Sequence, residues 1–130
     1  MSRTSLTTII QRAVAMAAAL FGLATIAAGV RVLAGADPGY VVFRPLLLFN
    51  TAMGFAYVGA GVLAWRDLTH GTSAAAAIFG LNLVVLGAIG YLYSTGSAVA
   101  VDSLRAMTLR TGVWLAFFLA LAWLRSRDAR

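Results

Sequence analysis

Residues 74–93 read AAAAIFGLNLVVLGAIGYLY, twenty consecutive positions without a charged side chain. At 1.5 Å of rise per residue such a helix is about 30 Å long, the thickness of a bilayer's hydrocarbon core. Working outward, three further apolar runs of similar length occupy residues 13–33, 46–65 and 107–124. The whole chain of 130 residues is 62% hydrophobic and 11% charged, whereas soluble domains are about 45–50% apolar and about 25% charged. A water-soluble fold of this size has no interior large enough for that apolar surface. The pattern therefore predicts an all-α integral membrane protein, a single domain over residues 1–130, built as an antiparallel up-down bundle of four transmembrane helices.

The ends of the runs carry boundary signals. Trp65-Arg66-Asp67, Tyr91 with Tyr93, and Trp123 with Arg125 put amphipathic rings and charge where headgroups begin. Asp37-Pro38-Gly39 is a turn signal between the first two runs, and Pro45 suits the opening of a helix. Thr4 or Ser5 is expected to cap the first helix, and Asp102 or Ser103 the last. Residues 66–73 read as a short linker, with His70 as a solvated loop residue. Ala34-Gly35-Ala36 has the form of a signal-peptide cleavage site, but the 18 apolar residues of 13–30 exceed the roughly 7–15 of a signal core. The first helix is thus expected to be retained.

The charges are ten Arg without Lys and four Asp without Glu, for a net +6. Because the Arg residues sit at the ends of apolar runs, they read as topology signals and anchors for anionic headgroups, and nucleic acid is not an expected partner. With four crossings, Arg3, Arg12, Arg66, Arg125, Arg127 and Arg130 share one side, against Arg31, Arg44, Arg105 and Arg110 on the other. Excess Arg marks the cytoplasm, so both termini are expected inside. Heavy Ala and Arg usage without Lys points to a GC-rich bacterial genome, and the expected location is the bacterial inner (plasma) membrane, as a multi-pass protein. Cysteine is absent and His70 is the sole histidine. Thiolate chemistry is excluded, and no metal, haem or other cofactor is expected.

In lipid, helices associate through close backbone approach and polar contacts. Ala52, Ala56, Ala60 and Ala64 form one ladder of small residues, and Thr108, Gly112, Ala116 and Ala120 a second; both are expected to pack helix on helix, leaving Phe117, Phe118 and Leu121 to face lipid or a partner. Asn50 and Asn82, the only asparagines, lie inside apolar runs and are expected to point into the bundle as interhelical contacts or as part of a ligand path. Asn50, Gly54, Tyr57 and Gly61 share a helix face, as do Asn82, Ile89 and Tyr93.

A candidate ligand site lies at the non-cytoplasmic end. Arg31, Arg44, Asn50, Tyr93, Asp102, Arg105 and Arg110 are brought there by topology, and guanidinium forks match phosphate or carboxylate. Competing readings are snorkelling of Arg31 and Arg110, stacking of Arg110 on Trp114, and neutralisation of Arg44 and Arg105 by the nearby Asp residues. No acid lies in any span, and a nucleophile with an adjacent base is missing, so no catalytic residues and no enzyme activity are expected. The expected function is a small accessory, assembly or lipid-interacting subunit, partnered by anionic lipid and by a larger membrane protein or further copies of itself. The alternative is a transporter, channel or binding protein for an anionic ligand.

Overall fold

The structure, a computed structural model, describes residues 3–128, with side chains over residues 6–127. It holds α1 (Arg3–Leu33), α2 (Arg44–Arg66), α3 (Leu68–Ser94) and α4 (Val101–Asp128), and the described residues contain no strand. Each helix is long and apolar enough to cross a membrane. All four run past the apolar stretches that announce them, because a helix continues into its polar flanks wherever the backbone groups stay paired.

The ends explain the boundaries. α1 and α3 each stop at a glycine with positive φ, Gly35 at 111° and Gly96 at 85°. Each glycine folds the chain back so that its own amide and the one after it bond the last turn: Gly35 N–H to Val32 and Ala36 N–H to Arg31 in α1, Gly96 N–H to Tyr93 and Ser97 N–H to Leu92 in α3. Thr4 and Ser5 lie inside α1 rather than before it. The expected linker 66–73 shrinks to one residue, Asp67. Its carboxylate accepts from the Thr69 and His70 amides at 2.9 and 3.3 Å, so α3 begins at Leu68. His70 is accordingly an exposed side chain of the first turn of α3, with Nδ1 2.6 Å from Asp67 Oδ2. In α4 the helix starts at Val101, which puts Asp102 and Ser103 in its first turn and not at the cap.

α1 and α2 form the tightest pair. A Cβ on Gly22 would stand 2.7 Å from the Val58 amide nitrogen, and one on Gly61 would stand 2.7 Å from the Ala15 carbonyl oxygen. Only glycine lets the two backbones approach this closely. Gln11 Nε2 donates to the Ala64 carbonyl at 2.6 Å, and the Arg12 guanidinium lies 4.8 Å from the Trp65 ring centre. α3 and α4 form the second close pair, α2 joins the two pairs, and the edge between α1 and α4 is the loosest.

The core runs along the centre from Ala64 and Leu124 through Tyr57 and Trp114. A second cluster, Leu46, Ile89, Val99 and Met107, fills the end next to the 34–43 and 95–100 connections. The Tyr57 ring lies 4.8 Å from that of Trp114 at a tilt of 37°, and Trp114 meets Phe117 edge-on at 5.1 Å.

The small-residue ladders lie differently from expectation. Ala60 and Ala64 are buried, but Ala52 and Ala56 are exposed on the other side of α2. On α4, Thr108, Gly112 and Ala116 are exposed and Ala120 is only partly covered. Its inward stripe is Met107, Thr111, Trp114, Leu121 and Leu124, with Phe117 and Phe118 packed against it. Small residues serve where backbones nearly touch, as between α1 and α2. On α4 the positions that face the core carry large side chains, which pack with Tyr57 in the centre.

Candidate functional site

Of the two asparagine amides within the apolar helices, one is spent on structure. Asn82 is fully buried; its Nδ2 donates to the Tyr57 hydroxyl at 3.0 Å, and that hydroxyl lies 3.3 Å from Asn82 Oδ1. This pair ties α2 to α3 through the core.

Asn50 is different. Its Oδ1 is buried without a hydrogen-bond partner, and so are Arg110 Nε and Trp114 Nε1. Asn50 and Arg110 border the same cavity of about 190 Å³, enclosed by α1, α2, α4 and the 34–43 connection, where about 10–15 Å³ suffices for one water. Thr25 and Gly29 of α1, Thr51 of α2, Ser103 of α4 and Tyr40 of the connection complete its polar wall. The threonines offer little free capacity, since Thr25 and Thr51 donate at 2.8 Å to the Phe21 and Leu47 carbonyls of their own helices. Ser103 is buried, and its hydroxyl has no partner among the described residues. The unspent groups are therefore the Arg110 guanidinium, the Asn50 amide and the Ser103 hydroxyl.

Arg110 also lacks a counter-ion. The ion pairs among the described side chains are His70 with Asp67 and Arg105 with Asp102, the latter at 3.9 Å and well exposed. The guanidinium stacking contacts involve Arg12 and Arg127, so the expected stacking of Arg110 on Trp114 is not present. Arg110 stands nine residues into α4, roughly 13 Å along its axis. A partly buried guanidinium without an anion is costly.

Comparison with family models, curated proteins and solved structures finds no match. The site therefore stands on its own geometry.

The expected cluster separates into two groups. Asn50 and Arg110 meet at the cavity. Arg31, Arg44, Tyr93, Asp102 and Arg105 are exposed and line none of it. Thr25, Thr51 and Ser103 were not singled out in the sequence as cavity residues; the signal for them was a hydroxyl facing, across the bundle, the level of Asn50. Between α1 and α4, Phe21, Ala24 and Leu109 form a shallow apolar groove of about 220 Å³ that shares Thr25, Ala28, Ala106 and Arg110 with the cavity.

Proposed function

We propose that this chain is a small, non-enzymatic, multi-pass membrane protein that holds an anionic group at Arg110. The observation that carries this reading is the partly buried Arg110 guanidinium, with Nε unpaired, on a cavity that also presents Asn50 and Ser103. An anion supplies both the missing charge and the missing acceptors. The Asn50 amide rotates to present either its oxygen or its NH₂, so it serves an acidic ligand or the water beside it.

Insertion in a bilayer is supported by the four apolar helices and by large side chains turned outward all around the molecule, among them Phe55, Val84 and Leu109. The paired positions Ala15 with Gly61, Gly22 with Gly54, and Gly29 with Thr51 support α1 and α2 running in opposite directions. With both termini cytoplasmic, the cavity opens toward the outer face of a bacterial inner membrane.

The test is thermal unfolding of the purified chain in a neutral detergent. Added inorganic phosphate or phosphatidylglycerol is expected to raise the midpoint, by about 2.7 kcal/mol of stabilisation at a hundredfold excess over Kd. Arg110→Gln abolishes the rise, whereas Arg105→Gln leaves it. An equal rise in the Arg110 variant rejects the reading.

A second reading, an accessory subunit docked on a larger membrane protein, is favoured by the outward small face of α4. Thr108, Gly112 and Ala116 are exposed, and a Cβ on Gly112 would meet nothing. Copurification in fixed ratio with one larger membrane protein, lost on Gly112→Leu, supports it.

A further inference from the structure

The site reaches the lipid phase sideways. The polar cavity and the apolar groove share Thr25, Ala28, Ala106 and Arg110, so Arg110 sits where they meet. The groove lies between α1 and α4, the loosest edge of the bundle, and is walled by the exposed Ala24 and the exposed Leu109. One guanidinium thus faces a chamber with Asn50 and Ser103 on one side and a mainly apolar trough on the other. This division matches an amphiphile, with an acidic headgroup and a hydrocarbon tail.

Resting on the anion reading above, we infer that the ligand is an anionic lipid: its phosphate lies against Arg110 in the cavity, and one acyl chain lies in the α1–α4 groove. The groove does not bind through hydrophobic transfer, because the chain is already in hydrocarbon. It is a lateral doorway that fits the tail while the headgroup enters. A free anion arriving from water must shed its hydration shell to reach the same guanidinium. A lipid already in the membrane arrives at high effective concentration.

The experiment uses the full chain, delipidated in maltoside detergent, titrated with inorganic phosphate, short-chain phosphatidylglycerol and short-chain phosphatidylcholine. Phosphatidylglycerol is expected to bind more tightly than the other two. Arg110→Gln weakens it by about 10- to 100-fold, the worth of one hydrogen bond to a charged group. Ala24→Phe, at an exposed groove position that leaves Arg110 untouched, obstructs the tail and weakens phosphatidylglycerol by about tenfold or more while sparing phosphate. If Ala24→Phe binds phosphatidylglycerol like wild type, or if phosphate binds as tightly as the lipid, the lipid assignment is overturned and the anion reading stands. If none of the three ligands binds, if phosphatidylcholine matches phosphatidylglycerol, or if Arg110→Gln binds as wild type does, both fall. Should Arg110→Gln fail to fold, Arg110→Lys and Ala24→Phe still decide the matter. Lys keeps the charge but not the fork, so it weakens the lipid less than Ala24→Phe does; weakening by Lys alone rejects the doorway.

Discussion

Tyr57 and Asn82 satisfy each other in the centre of the molecule, at 0% exposure for both. Removing one partner leaves a buried amide unpaired, which costs more than never having had it. Tyr57→Phe is therefore expected to lower stability by about 0.6–2 kcal/mol in detergent unfolding, and Tyr57→Phe with Asn82→Leu to recover much of that loss. Gly22 makes a second residue-scale prediction. Gly22→Leu drives a side chain against the Val58 amide and is expected to cost at least about 1–3 kcal/mol, whereas Gly59→Leu, where an added Cβ meets nothing, is neutral in the same melt. The sequence showed that both asparagines sit in apolar runs; it did not show that Asn82 would find a tyrosine and Asn50 would not. That difference depends on the rotation of α3 against α2, which single-helix periodicity leaves open.

At the scale of elements, Asp67 does the work expected of a whole linker. Its carboxylate caps α3 and meets His70, and the His70 side-chain bond chiefly, with the His70 backbone bond next, holds its pKa below the ordinary 3.8. A depressed carboxylate stabilises the fold at pH above its unfolded value, and the contribution disappears as pH falls through the lower folded value. After correction for intrinsic rates, exchange protection of the Thr69 and His70 amides is expected to persist below pH 3.8 and then collapse. Asp67→Ala abolishes that protection at neutral pH, and Asp67→Asn retains most of it, since asparagine caps almost as well. Helix number and type were legible because length and hydropathy alone decide them. The inward face of α4 was not. Its small ladder and its Trp114–Leu121–Leu124 stripe are both plausible faces, and only packing against the Tyr57 core selects the second.

For the molecule as a whole, the outward small face of α4 carries a separate prediction. Gly112→Leu is expected to leave the melting of the isolated chain unchanged, because Gly112 is exposed and an added Cβ there meets nothing; any loss would show up only in an assembly, as a shift on size-exclusion chromatography. The candidate site was half legible at this scale. Topology gathered the arginines at one end, but burial retained Arg110 and left Arg31, Arg44 and Arg105 outside. Finally, the two helix pairs are joined closely through α2 and loosely along α1 and α4. They are arranged as two pages bound on one spine, and the loosest margin is the one beside Arg110. Since the chain has no cysteine, thiols placed one on each page, at Ala24 and Leu109, would form the sole cross-link, and the rate at which they bridge would time the opening of the book.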